Sequence, residues 1–235
     1  MAKAPPGSKK VVVAIDGPAG SGKSTLAALL ARKYNYINIE TGAMYRALAL
    51  KAMHIGVSLD DGEKLAALAQ QSRIELVPNP EGNRVLLDGA DVSERLRSQD
   101  VTDAASKVSV HPNVREWMVA EQRTMGANGG IVMEGRDIGT QVFPEAEVKI
   151  FLDAAPEIRG TRRFMQSPAS DAPEASVLAE LQARDQRDRT RANSPLVPAA
   201  DAVIIDSTYL TLDQVLARAI ELIDVRLAEV QTASG

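Results

Sequence analysis

The sequence predicts an α/β fold: a parallel sheet with helices covering both of its faces. Three observations carry this. Short apolar, β-branched runs without alternation, among them Val11–Ile15, Ile131–Met133 and Val148–Leu152, have the texture of strands buried on both faces. Segments with helical spacing separate these runs, and strand–helix alternation builds a parallel sheet. A glycine-rich turn also stands between the first strand and the first helix, where such folds hold phosphate.

Taken in order, the first ten residues read as a mobile tail, and Val11–Ile15 as the first strand. After the glycine-rich turn, Thr25 to Lys33 places Leu26, Leu29 and Leu30 on one helical face. Tyr36–Ile39 reads as a second strand, and Thr41 as the cap of a helix reaching about Met53. An amphipathic helix follows from Asp60 to Gln71. The texture then changes: Ile74–Val77, the turn Pro78–Asn83, Arg84–Leu87 and the pair Asp88-Gly89 have the grammar of a hairpin inserted into the alternating chain. Pro112 suits the first turn of a helix carrying Val114, Trp117, Met118 and Glu121 and stopping near Gly126. Pro156 opens a helix with Arg159, Arg162 and Arg163, the stretch 166–173 is turn-rich, and another helix spans about Glu174 to Arg191. Ala202–Ile205 is the last strand, and Thr211-x-x-Gln214 is a capping box opening a final helix to about Glu229.

Composition narrows the function classes. The chain has 235 residues, enough for one large domain or a domain with an insertion. It is 45% hydrophobic and 25% charged, ordinary for a globular protein and unlike a disordered one. A net charge of −4 and a pI near 5.4 give no global field for nucleic acid or anionic membrane, so anion handling must be local. The absence of cysteine fits a reducing compartment and removes thiolate and cysteine–zinc chemistry. The opening residues carry charge without an apolar h-region, and no run approaches the roughly 18 apolar residues of a membrane helix. A cytoplasmic location is the expectation.

Gly17-Pro18-Ala19-Gly20-Ser21-Gly22-Lys23-Ser24 matches the phosphate-loop pattern G-x-x-x-x-G-K-[ST] in full. Glycines let the backbone wrap a phosphate chain with its N–H groups inward, and the helix that follows adds its positive end. Lys23 reaches the β- and γ-phosphates in such a loop, and the Ser24 hydroxyl is the metal ligand, for Mg²⁺. The preceding strand and following helix argue against a chance glycine-rich turn. The motif establishes nucleotide binding and leaves the reaction open.

Arginine outnumbers lysine 18 to 9, and seven arginines fall between Arg159 and Arg191. The planar arginine fork suits phosphate oxygens. Arg184, Asp188 and Arg191 share one face at helical spacing, which fits either an inward clamp or a solvated charge ladder. The segment from Arg184 to Arg191 holds four arginines against two aspartates and no aromatic residue, a poor nucleic-acid patch. Thr41-Gly-Ala-Met-Tyr45-Arg46 and Glu134-Gly-Arg136-Asp137 both follow strands, and open α/β sheets bind ligands at the carboxyl ends of strands. Core packing for Tyr45, a surface charge for Arg46 and a local ion pair for Arg136-Asp137 are the plainer alternatives. His54 and His111, without a Ser/His/Asp pattern, read as structural.

Together these segments resemble the bacterial cytidylate kinases, from Val12 to about Leu227. The carriers are Ile15-Asp-Gly-Pro-Ala-Gly-Ser-Gly-Lys-Ser24, Thr41-Gly-Ala-Met-Tyr-Arg46, Gly135-Arg-Asp-Ile-Gly-Thr-Gln-Val-Phe-Pro144, Val148-Lys-Ile-Phe-Leu-Asp153, Arg184-Asp-Gln-Arg-Asp-Arg-Thr-Arg191 and Pro195-Leu-Val-Pro-Ala-Ala-Asp201. The resemblance implies a P-loop NTPase-type parallel sheet, with a small β-containing insertion for the nucleoside monophosphate at about 60–110. It also implies a helical lid at about 156–191, all within one domain spanning 11–235. Further implied are ATP as co-substrate with Mg²⁺, CMP or dCMP as acceptor, no polymeric nucleic acid, no membrane, and a monomer. Residue by residue, Gly17 to Thr25 would hold ATP. Thr41, standing where the family often has Ser, would hold the acceptor phosphate with Arg46 and Arg136. Tyr45 would pack on the nucleotide, and Ser106, Arg115 and Asp137 would read the cytosine edge. Arg184 and Asp188 match the sugar-contacting pair and Arg191 a lid arginine; with Lys23 and Arg136, Arg184 and Arg191 form the catalytic set. Glu134 replaces an Asp seen in some relatives, which leaves open its role near the metal. The rival readings are a small kinase for UMP or shikimate and a non-catalytic ATP-binding regulator.

Overall fold

A computed structural model of the chain describes residues 10–79, 83–166 and 173–232. The tail before Lys10 and nearly all of the turn-rich stretch 166–173 lie outside the described residues. The elements run β1 (Val12–Asp16), α1 (Lys23–Tyr34), β2 (Ile37–Glu40), α2 (Thr41–Ile55), α3 (Gly62–Gln70), β3 (Ile74–Val77), β4 (Arg84–Leu87), β5 (Ala90–Asp91) and α4 (Gln99–Val108). They continue as α5 (Pro112–Gly126), β6 (Ile131–Gly135), β7 (Val148–Asp153), α6 (Pro156–Gln166), α7 (Glu174–Thr190), β8 (Val203–Asp206) and α8 (Leu212–Thr232). A single π-helical turn, Ile138–Val142, follows β6.

Five strands form a parallel sheet in the order β2-β6-β1-β7-β8, with Val12 opposite Ile131 and Val13 opposite Val148. Successive side chains of a strand point to opposite faces. Val13 and Ile15 therefore meet Leu26 and Leu30 of α1 and Val215, Ala219 and Ile223 of α8. Ala14, Ile131 and Met133 face Ile138 and Val142 on the other side. Apolar residues of the three central strands thus find cover on both faces, as the uninterrupted runs required, whereas Ile37 of β2 and Val203 and Ile204 of β8, on the edge strands, are exposed. A third cluster, around Met44, Leu48, Leu65, Val101 and Met118, joins α2, α3, α4 and α5 with the hairpin strands. Each such Leu or Met removed from water contributes roughly 1.5–3 kcal/mol. The antiparallel insertion is three-stranded, β3-β4-β5, with Leu76 opposite Val85. Among the described residues no helix is long and apolar enough to cross a membrane.

The capping box forms in both directions: Thr211 N donates to Gln214 Oε1 at 2.9 Å, and Gln214 N to Thr211 Oγ1 at 3.2 Å. Pro112 opens α5, and the Asp61 side chain caps α3 by accepting from Lys64 N. Three expectations need correction. Thr41 does not cap α2: Glu40 holds that position, and the Thr41 hydroxyl donates instead to the Glu134 carbonyl at 2.8 Å, tying α2 to β6. The stretch 99–108 is a helix with no counterpart in the sequence reading. Arg191 lies one residue beyond α7 in extended conformation, so it does not share a helical face with Arg184 and Asp188.

All five parallel strands end on one rim. There β1 runs into the glycine loop, β2 into Thr41, β6 into Arg136, β7 into Ala154 and β8 into Ser207. Residues remote in sequence become neighbours here.

Candidate active site

The phosphate loop is shaped by positive φ angles at Gly17, Gly20 and Gly22. At Gly17 (φ +147°) a Cβ would lie 2.0 Å from the Leu152 carbonyl oxygen, so the tight exit from β1 admits only glycine. Gly22 (φ +98°) occupies the cap position of α1, directing the first helical N–H groups into the loop. Lys23 is buried, its Nζ donating to the Pro18 carbonyl at 2.7 Å and to Ser21 Oγ at 3.4 Å. Ser24 Oγ donates to Glu134 Oε1 at 2.6 Å. Asp16, the last residue of β1, accepts from Ile138 N at 2.8 Å and Gly139 N at 2.7 Å.

Beyond the loop lies a cluster of arginines and carboxylates. Arg136 Nε donates to Asp188 Oδ2 at 2.9 Å, joining the end of β6 to α7. Arg191 Nη1 stands 3.8 Å from Asp188 Oδ1. Asp188 is buried and engages Arg136 across the site, and among the described residues its ion pairs run to Arg136 and Arg191. That orientation is inward, unlike an exposed ladder. Arg184 Nε and Arg191 Nη2 are buried donors with no hydrogen-bond partner among the described residues, as is Arg115 Nε. Buried donors of this kind carry a desolvation cost that a bound acceptor would relieve.

A second cluster of polar side chains lies where α2, α4, α5 and the end of β6 meet. Arg115 and Asp137 form a buried ion pair, and Arg115 Nη1 also donates to the Ser109 carbonyl at 3.1 Å. The Arg115 guanidinium carbon lies 5.6 Å from the Tyr45 ring centroid. Burial pushes the Tyr45 hydroxyl up to about 12, so it stays protonated. Arg46 pairs with Glu40. Ser106, on the helix the sequence reading lacked, accepts from Arg187 Nε at 3.3 Å and Nη2 at 3.2 Å.

Excess positive charge gives the site its character. Burial, and then Arg136, pushes Lys23 down; burial, and then Arg136, lowers Arg184 to about 10. Burial pushes Glu134 up, against the pull of Lys23. Burial raises Asp16 to about 6 despite its two backbone hydrogen bonds. Two cations whose charged forms are disfavoured beside a third describe a place suited to a polyanion.

The sequence marks Arg159 as one of seven arginines of a basic segment and gives it no role of its own. Arg159 is buried and links three parts: its Nε donates to the Ala154 carbonyl at 2.8 Å, and its Nη1 to the Ala19 carbonyl at 3.0 Å. The same Nη1 pairs with Asp185 Oδ2 at 2.6 Å, so α6, α7 and the phosphate loop meet at one guanidinium. Arg162 and Arg163 look identical to it in sequence but bond Ser207 and Gln99 instead.

The donor set suits Mg²⁺. A hydroxyl and a carboxylate already in contact, Ser24 and Glu134, match an ion that takes one or two protein oxygens and fills its remaining positions with phosphate and water. Among the described residues no group of three or more His, Asp or Glu side chains is arranged to hold an ion without such help.

A complete phosphate loop on the rim of a five-stranded parallel sheet, facing a second basic pocket, defines a P-loop α/β protein of the nucleotide-binding class. The family model for cytidylate kinase matches residues 13–225, and the chain belongs to that family. A cytidylate kinase from Solibacter usitatus is 49% identical over 211 residues, covering 88% of this chain and 89% of that protein. One from Geobacillus thermodenitrificans is 46% identical over 221 residues, with 93% and 99% covered. Among solved structures, an uncharacterized protein from Eubacterium ventriosum is similar with a TM-score of 0.51 and 14% identity, over 92% of this chain and 99% of that one. That likeness concerns the fold alone.

Proposed function

We propose that this protein transfers the γ-phosphate of ATP to CMP or dCMP, giving ADP and CDP or dCDP, as a cytoplasmic monomer that takes no polymeric nucleic acid. The observation that carries the reading is the buried Arg115–Asp137 pair beside Tyr45, at the end of the strand next to the phosphate loop. Cytosine offers an amine donor beside ring N3 and O2 acceptors. Asp137 accepts from the amine, while Arg115 and Ser106 donate to the acceptors. Thr41, Arg46 and Arg136 hold the acceptor phosphate, Arg184 and Asp188 the sugar, and residues 17–25 the ATP phosphates.

The acceptor phosphate is anionic at neutral pH, so transfer needs no general base. It needs in-line placement and cations around the moving group. Lys23, Arg136, Arg184 and Arg191 supply the cations. Mg²⁺ held by Ser24, with Glu134 beside it, supplies further charge neutralisation at the phosphates. The α6–α7 pair acts as the lid over this rim and excludes water, which would otherwise take the phosphoryl group. The region 60–110 forms the acceptor side.

A coupled assay of ADP release across CMP, dCMP, UMP and AMP tests the function. Release that depends on the cytosine nucleotides is expected, and equal or better use of UMP or AMP would overturn it. Arg191→Ala separates clamp from ladder. As a clamp it costs well over tenfold in kcat/KM for CMP, more than about 1.4 kcal/mol of transition-state stabilisation. A surface ladder costs a few tenths of a kcal/mol of stability and leaves kinetics unchanged. Turnover and thermal midpoint measured together distinguish the two.

A further inference from the structure

We infer that Asp16 is a positioning residue for the acceptor site: its backbone begins the phosphate loop, and its carboxylate sets the turn that carries Arg136 and Asp137. The argument starts from the register. Asp16 closes β1 and lies opposite Gly135 of β6, the residue just before Arg136. Its two carboxylate oxygens accept from two consecutive amides, Ile138 N at 2.8 Å and Gly139 N at 2.7 Å. These are the first two N–H groups of the π-helical turn that begins right after Asp137. The first amides of a helical turn have no partner within it and need an outside acceptor. A carboxylate supplies both acceptors at once, with charge assistance.

The consequence is geometric. Arg136 and Asp137 form the two-residue span between β6, paired with β1, and a turn clamped from below by the β1 carboxylate. Asp16 therefore bears on both ends of that span, through strand pairing at one and its carboxylate at the other. Within its own segment, the Asp137 carbonyl accepts from Gln141 N at 2.8 Å and Val142 N at 3.2 Å, so a turn held by Asp16 in turn holds Asp137, whose own dihedrals (φ −148°, ψ 25°) are non-regular. Side-chain directions at Arg136, toward Asp188, and at Asp137, toward Arg115, follow from this clamp. The charged groups facing the carboxylate are Lys23 of the loop and Asp137 of the turn, so it stands between the two halves of the site.

An amide in place of the carboxylate accepts on one atom and presents N–H to N–H on the other. Asp16→Asn therefore keeps size and burial while breaking half of the clamp. The inference rests on the CMP reading above, so one measurement is made without nucleotide. Hydrogen exchange at the Ile138 and Gly139 amides is expected to speed up at least tenfold in Asp16→Asn. Calorimetric titration with CMP in the absence of ATP is expected to give at least a tenfold higher Kd. Titration with a non-hydrolysable ATP analogue is expected to shift less than threefold, with discrimination between CMP and UMP reduced. A purely structural cap predicts equal losses for both nucleotides alongside a lower Tm, and that result overturns the inference. Unchanged CMP affinity with faster exchange overturns it as well. If the wild-type protein does not bind CMP, the functional reading falls and this inference falls with it, whatever the exchange data show. Should Asp16→Asn not fold, Gly139→Ala is the second variant. Its added Cβ would stand 3.2 Å from Lys149 Cδ and 3.4 Å from Asp16 Oδ2, so it presses on the buried Lys149 side chain beside the carboxylate, and either that side chain or the turn gives by a few tenths of an ångström. A selective loss of CMP affinity of threefold or more is expected, and no selective loss overturns the assignment.

Discussion

Lys23→Ala is expected to lower kcat by at least about 10³-fold, in line with losing a preorganised cation at the transferring group, while the protein remains folded. The chemistry follows from position. Lys23 follows the last glycine of the loop, is buried, and bonds the Pro18 carbonyl and Ser21 Oγ, both within the loop itself. No strand or helix of the core depends on those two bonds. Burial and Arg136 already disfavour the charged ammonium, so its removal relieves a cost of the nucleotide-free protein. Stability at pH 7 should therefore hold or rise as turnover disappears. ADP release and the thermal midpoint, measured on one preparation, check both halves. Near wild-type turnover in a folded variant would remove the loop from the chemistry.

Asp137→Ala carries the second large effect, and it acts twice. Removing one member of the buried Arg115–Asp137 pair leaves an uncompensated guanidinium, a loss of about 3–5 kcal/mol in stability. In the proposed CMP complex the same carboxylate would accept from the amine of cytosine and would repel the O4 carbonyl of uracil. Wrong ligands that leave buried polar groups unpaired lose up to about 10⁴–10⁵ in specificity. The variant should therefore lose at least about 10²-fold in kcat/KM for CMP and narrow the gap between CMP and UMP. Asp137→Asn keeps the shape of the side chain and separates the two effects. It should retain more stability than Ala and still lose discrimination. A ratio of the two specificity constants identical to wild type would show that Asp137 does not read the base.

What the sequence made legible was local. The phosphate loop, the Thr211–Gln214 box, the hairpin and the buried strands each carry their signal within a few residues, and each forms where the pattern lies. Helix α4 was missed because its core side rests on small residues. Val101, Ala104, Ala105 and Val108 are buried at helical spacing, but Asp, Ser, Thr and Lys fill the remainder and no proline or glycine marks an end. That spacing was the available signal. Thr41 reads as a cap because a hydroxyl at a helix start usually serves the helix; here β6 lies close enough to take the bond instead. The reach of Arg136 to Asp188 spans 52 residues, and the bond from Arg159 to Ala19 spans 140. Nothing in a linear pattern separates such an arginine from its neighbours. Asp16 was legible as part of a motif, but its carboxylate acts on a turn more than a hundred residues away.

The β3–β4 hairpin is closed at its base. Asp88 N donates to the Arg73 carbonyl at 2.8 Å, and Arg73 N donates to Asp88 Oδ1 at 2.9 Å. The chain thus leaves and re-enters the helical layer at nearly the same point, while Asn83 Nδ2 donates to the Asn38 carbonyl of β2 at 2.8 Å and ties the other end of the hairpin to the parallel sheet. Closure entropy rises slowly with loop length, so lengthening the tip by several residues costs little. Ile74, Val85 and Leu87 are the exception, because they are buried in the helical cluster, and Leu76 joins them by packing on two clusters. The hairpin is therefore pinned along its stem and at Asn83, and extensible between those points. A change of length between those points is therefore absorbed locally, with the phosphate loop and the arginine cluster left as they are.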